Sequence, residues 1–309
     1  MNTDTLYKKI ELGLQPIVGK TILHTAPHHD DILLGYFPYV IQNLQGNNHH
    51  ALYITSGANG VSDAYLSSLI KDANQIDNRF IHQDIIALDS AAKKELKSSL
   101  RESESEKKWL LAADGRMQIK HLRAEFYNAS DESMQSAMKK DIQRVVDYLM
   151  KIQPDIITIL TDSMDIGHTT HHRSQRVMTA AILQWQAQVN PDGDEMKIPT
   201  IFGYRNVWTS FTLQEASMII PVTAPQLHQV ESIFMNCFFT QNKIFILDDQ
   251  PRTLAQETIR IQKAQWQEVQ ELIIDLPAMV TKKTEGAIFL QKLTLQEMQH
   301  LIKDESNKL

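Results

Sequence analysis

The sequence predicts an α/β fold in which helices cover both faces of a mostly parallel sheet. Three observations carry that reading. Apolar runs of strand length alternate with stretches whose apolar residues recur at helical spacing. No internal repeat, low-complexity tract or Pro/Gly/Ser linker divides the 309 residues. Two groups of histidines each follow directly on a predicted strand, where an open α/β sheet places its ligands.

Residues 3–13 read as a helix, and Lys20–Thr25 (KTILHT) as the first strand. Asp31–Leu44 carries apolar residues at helical spacing, with Pro38 expected to kink or shift that helix. Ala51–Thr55 reads as a second strand running into the turn-like Ser56-Gly57-Ala58-Asn59-Gly60, and His49 and His50 before it read as surface residues. Residues 63–113 are polar and helix-prone; the stretch from about 63 to 100 is too long for one α/β connection and reads as a helical insertion. Arg101–Lys108 (RESESEKK) reads as an exposed helix face, with Glu104 and Lys108 paired at i, i+4.

Gln118–Leu122 is a weak strand. Ile142, Val145, Val146, Leu149 and Met150 follow the helical period up to Pro154, and Asp155–Leu160 (DIITIL) reads as a buried strand. A helix is expected from His171 to Gln188, strands at Thr200–Gly203 and Met218–Val222, and helices over 225–238 and 255–275. Thr294 and Glu297 have the spacing of a capping box before a last helix. The order of elements predicts one three-layer αβα, Rossmann-like domain over residues 1–309. Its core spans about 18–245 and a C-terminal helical extension about 250–309.

Composition narrows the function classes. Apolar residues make up 42% and charged residues 22%, the balance of a chain with a real core. Thirty-one basic against 37 acidic side chains give a net charge of −6, which argues against nucleic acid as a partner. No apolar run approaches the roughly 18 residues of a membrane span. Cys237 stands alone and MNTDTLYKKI lacks an apolar signal core, so a cytoplasmic location is expected. A small-molecule partner is expected, and a homo-oligomer is left open.

The first histidine group is Pro27-His28-His29-Asp30-Asp31. Pro27 ends the strand, and a carboxylate at Asp30 or Asp31 suits the start of a helix. His28 and Asp31, three apart, can reach one cation; Asp30 between them stays free to accept a proton. The second group is Gly167-His168-Thr169-Thr170-His171-His172, after strand Asp155–Leu160. One of His168 and His171, added to His28 and Asp31, completes two imidazoles and a carboxylate. This is a common catalytic zinc set with a fourth position open, and non-haem Fe2+ uses the same ligand types.

These residues resemble the PIG-L/LmbE-like zinc N-deacetylases, which remove the acetyl group from N-acetylglucosamine units. The family's Pro-His-Pro-Asp-Asp-Glu is matched by Pro27–Ile32, and its Gly-His-x-x-His by Gly167–His171. The Thr55–Gly60 turn matches too, and Arg101 and Glu104 match a helical Arg-x-x-Glu more loosely. The resemblance implies His28, Asp31 and His171 as zinc ligands, Asp30 as general base and His168 as oxyanion stabiliser. It also implies Arg101 as a substrate contact and an amino-sugar substrate. The wording Pro-His-His-Asp-Asp-Ile is similar to a subgroup described as glucosamine-6-phosphate-deaminase-like. Arg205, after strand Thr200–Gly203, is a second candidate substrate contact at the pocket border.

Three positions depart from the family pattern: His29 for proline, Ile32 for an acid and Thr170 for an aspartate. The last leaves Asp162 or Asp165 to orient His168. Competing readings are another metal-dependent amidohydrolase, a phosphoesterase, or a sugar-binding module without turnover.

Overall fold

The structure, a computed structural model, describes residues 2–71, 88–161, 169–194, 198–247, 249–273, 280 and 283–306. Its strands are β1 (Thr21–Ala26), β2 (Asn48–Tyr53), β3 (Met117–His121), β4 (Ile156–Leu160), β5 (Thr200–Tyr204), β6 (Met218–Thr223), β7 (Phe245–Leu247), β8 (Gln250–Arg252) and β9 (Thr284–Leu293). The helices are α1 (Thr3–Leu14), α2 (Asp31–Gln42), α3 (Asp63–Lys71), α4 (Ser90–Ala113), α5 (Asp131–Ile152), α6 (Thr169–Val189), α7 (Ala224–Cys237), α8 (Leu254–Leu272) and α9 (Leu295–Ser306). Seven strands form one sheet in the order β3-β2-β1-β4-β5-β9-β6, while β7 and β8 pair separately as an antiparallel ribbon. The first five are parallel, and β9 runs antiparallel to both β5 and β6.

The α/β expectation holds: the sheet is mostly parallel and covered on both faces. On one face, Tyr36 and Phe37 of α2, Trp109 of α4, Phe234 of α7 and Leu254 of α8 share a core. On the other, Val145 and Leu149 of α5, Val177, Ile182 and Trp185 of α6 and Met298 of α9 share a second. Strands buried on both faces read as near-continuous apolar runs, which is why β1 and β4 were legible. Pro38 lies inside α2, and the helix breaks two residues earlier, at Tyr36 (φ −153, ψ 26). The predicted capping box forms: Thr294 and Glu297 exchange hydrogen bonds at the start of α9.

Three expectations need correction. Residues 250–309 are not purely helical, since β9 inserts between β5 and β6 as a ten-residue strand. Strand β2 begins at Asn48, so His49 and His50 lie inside it and are buried. The Arg101–Lys108 stretch presents a buried face, not an exposed one: Arg101, Glu104, Ser105 and Lys108 are all buried. Of the proposed insertion, α3 and the first half of α4 are helical, and residues 72–87 lie outside the described residues.

His49 belongs to a chain of hydrogen bonds through the core. Its Nε2 lies 2.9 Å from the Asn43 carbonyl, an acceptor only, so Nε2 carries the proton. His49 Nδ1 must then accept from His24 Nε2 at 3.0 Å, and His24 Nδ1 must accept from the Tyr36 hydroxyl at 3.1 Å. That leaves the Thr158 hydroxyl to donate to Tyr36. Every link is satisfied with both imidazoles neutral. Burial, the largest cause, lowers the pKa of both, and the neighbouring His49 lowers that of His24 further.

Candidate active site

β1 and β4 are neighbours in the sheet, and the chain leaves them in opposite directions, β1 to β2 and β4 to β5. That is the topological switch point, and the crevice beyond the carboxyl ends of these strands is the expected ligand site. His28 follows β1 and His171 sits in the first turn of α6 after β4. The β1 loop is pinned to the exit of β2, because Thr55 donates to the Pro27 carbonyl through both its amide and its hydroxyl. His29, in place of the expected proline, is fully buried in a three-ring cluster with Tyr53 (ring centroids 4.9 Å) and His121 (5.2 Å). Ring packing thus restrains the loop where a pyrrolidine would have. Gly57 closes the neighbouring turn at φ +66, where a Cβ would press on Arg101 and His29.

Three candidate ligand atoms converge. His28 Nδ1 lies 3.1 Å from His171 Nε2 and 3.6 Å from Asp31 Oδ2, and His171 Nε2 lies 3.8 Å from Asp31 Oδ1. Atoms bound at about 2.0–2.1 Å to a tetrahedral zinc stand about 3.3 Å apart, so the trio fits a small divalent cation. The Asp31 carboxylate accepts the His28 amide at 2.6 Å and the Asn206 side-chain amide at 2.8 Å. Burial pushes the Asp31 pKa up, but His171, His28 and the His28 amide together outweigh it and hold the group well below the usual carboxylate range. It is therefore an anion, as a ligand must be. Among the described residues this is the group of histidines and carboxylates arranged to hold a metal ion.

Asp30 caps α2 without bonding its amides; its Oδ1 instead accepts Arg101 Nη2 at 2.8 Å. Arg101 also donates to Glu104 at 2.9 Å and Thr240 at 2.9 Å, and Glu104 accepts the Thr240 amide. Burial drives the Glu104 pKa up to about 7, against the pull of Arg101 and Thr240. Lys108, one further turn along the same face, donates to Tyr53 Oη at 2.8 Å and approaches the His29 carbonyl at 3.4 Å. Burial pushes it down to about 7. The charged face of α4 is thus packed beneath the loop that carries Asp30.

A pocket of about 400 Å³ opens beside this loop. His28, Asp30, Asp31, His171 and Arg101 are brought together there. His168, and with it Asp162 and Asp165, lies outside the described residues. Arg205 is not brought to the pocket. Its guanidinium donates to Ser210 and Glu215 and lies 4.2 Å over the Phe211 ring, facing a separate cavity. The next residue, Asn206, reaches the pocket instead. Arg205 and Asn206 both lie in the loop at the β5 exit, a third loop at the carboxyl edge of the sheet. Tyr127 and a wall formed by Trp208 and Phe245 were also missed.

A two-sided αβα sheet with a pocket of mixed polar and apolar lining at its switch point is the arrangement in which open α/β folds bind small ligands. The chain belongs to the PIG-L family, whose profile, described as GlcNAc-PI de-N-acetylase, matches residues 23–182. Membership supports a deacetylase-type hydrolase. Among solved structures, the chain is similar to GalB, the 4-carboxy-2-hydroxymuconate hydratase from Pseudomonas putida, at 13% identity and a TM-score of 0.54. That match covers 89% of this chain and 96% of that one. It is also similar to a zinc-inhibited form of the teicoplanin deacetylase Orf2, at 12% identity and a TM-score of 0.51, covering 88% and 98%. At such identities the likeness establishes the fold. No curated protein matches the chain by sequence.

Proposed function

We propose that the protein is a divalent-metal-dependent N-deacetylase acting on an N-acetylglucosamine-type sugar or conjugate. The observation that carries this reading is the convergence of His28, Asp31 and His171 in a pocket that also holds Asp30, a carboxylate that a metal site alone does not need. His28, Asp31 and His171 would hold the cation, zinc in the first instance. A bound cation supplies Lewis acidity, polarising a carbonyl and bringing the pKa of water from 15.7 to about 7.

Asp30 takes the proton as water adds to the acetyl carbonyl. It returns that proton to nitrogen as the C–N bond breaks, leaving acetate and a free amine. Arg101 engages Oδ1 of Asp30 and so fixes its orientation. His168 stabilises the oxyanion of the tetrahedral intermediate, a donation that typically contributes about 10²–10³ in turnover. Trp208 and Phe245 offer an apolar wall against a sugar ring.

The test is acetate release from a panel of N-acetylated sugars, with and without a chelator. Release that the chelator abolishes and zinc restores is expected. Zinc fully bound with release from no substrate would favour a non-catalytic sugar-binding module.

A further inference from the structure

Asp31 is an obligate acceptor, so the Asn206 group 2.8 Å from its Oδ1 must be the amide nitrogen. The other side-chain atom is then the carbonyl oxygen, which is buried with no hydrogen-bond partner among the described residues. A cavity of about 20 Å³ is lined by both Asn206 and Gln262 of α8. Gln262 is 3% exposed, and among the described residues neither its side-chain oxygen nor its nitrogen has a hydrogen-bond partner. Buried amides without hydrogen bonds are costly, and a cavity holds one water once it exceeds about 10–15 Å³ and offers two to four polar partners.

We infer that Asn206 is a positioning residue for the Asp31 ligand, held by an ordered water that it shares with Gln262. The inference rests on the metal reading above and extends it to α8, a helix that contributes no ligand. The His28 amide holds one Asp31 oxygen and Asn206 the other, so the carboxylate cannot rotate. The shared water fixes the Asn206 amide plane, and thereby the direction of its donation. Supports of this kind typically govern metal affinity by about 10–100-fold.

The test is zinc affinity of the metal-free protein, measured by competition with a chromophoric chelator. Asn206→Ala is expected to weaken zinc about 10–100-fold. Gln262→Leu, similar in volume but without polar atoms, is expected to weaken it by about threefold or more, being one water removed. At saturating zinc, kcat of Asn206→Ala should fall while KM holds, a split that a merely structural role would not produce. Should Asn206→Ala fail to fold, Gln262→Leu carries the test. Parent-like zinc affinity, within about twofold, in the folded variants overturns the inference. Absence of zinc binding by the parent protein would instead overturn the metal reading itself.

Discussion

The buried pair His24–His49 and the pocket pair His28–His171 bring imidazole nitrogens to 3.0 and 3.1 Å, yet their surroundings differ in kind. The rings of the core pair are nearly parallel (2°), and the pair sits in a one-way chain from Thr158 to the Asn43 carbonyl. Among the described residues, no carboxylate is bonded to either ring in that chain. The pocket pair meets the Asp31 carboxylate and borders open space. A close histidine contact is therefore not itself a metal signature; a converging anion and a route for a ligand make it one. The same sheet strand, β1, carries one member of the core pair, and the loop at its end carries one member of the pocket pair.

The comparison breaks most visibly at the ligands. Asp31→Ala or His171→Ala should lose both bound zinc and acetate release. Metal analysis checks the first, and the zinc-induced stabilisation of the parent, about 2.7 kcal/mol at a hundredfold excess over Kd, should vanish from the melting curve. Asp30→Ala should keep its zinc and lose about 10²–10⁴ in turnover; parent-like turnover would remove Asp30 as the base. In the core pair the cost moves to stability. His24→Ala orphans His49 and Tyr36, each at about 1–3 kcal/mol, with zinc affinity unchanged, as paired denaturation and chelator titrations would reveal.

Acid sharpens the contrast. His24 and His49 are neutral in the fold, their pKa values lowered by burial, and titrate near about 6.5 when unfolded. The unfolded chain thus binds protons that the folded chain refuses. Their stabilisation is complete above about pH 6.5 and is lost as pH falls below it, by up to about 1.4 kcal/mol per unit per histidine. Urea midpoints of metal-free protein at pH 7.5 and 5.5 should diverge, and a His24→Leu/His49→Leu double variant should narrow the gap. The smallest effect is expected at Arg205, whose partners lie outside the pocket. Arg205→Ala should change turnover per folded molecule by less than about threefold, in an assay normalised to folded protein.

What the sequence made legible follows the same physics. Doubly buried strands and amphipathic helices announce themselves, so most of the parallel strands were legible, and His28 and His171 lie after β1 and β4 as expected, while His168 lies outside the described residues. The start of β2 was placed three residues late because His49 and His50 look polar, and only partners elsewhere in the fold offset the cost of their burial. The α4 face was misread for the same reason: Arg101 finds Asp30 71 residues away and Thr240 139 residues away. β9 does carry a doubly buried apolar run, Ala287–Leu290, but that run lies between two helical stretches, where a helical extension was expected. Asn206 was invisible because an asparagine in a loop announces no partner.

Anomalous diffraction from zinc-soaked crystals, recorded at the zinc edge, tests the central claim most directly. One strong peak within about 2.3 Å of His28 Nδ1, His171 Nε2 and an Asp31 oxygen, with none beside His24 and His49, is the result expected. A peak elsewhere with that trio empty, in protein that releases acetate, would contradict it.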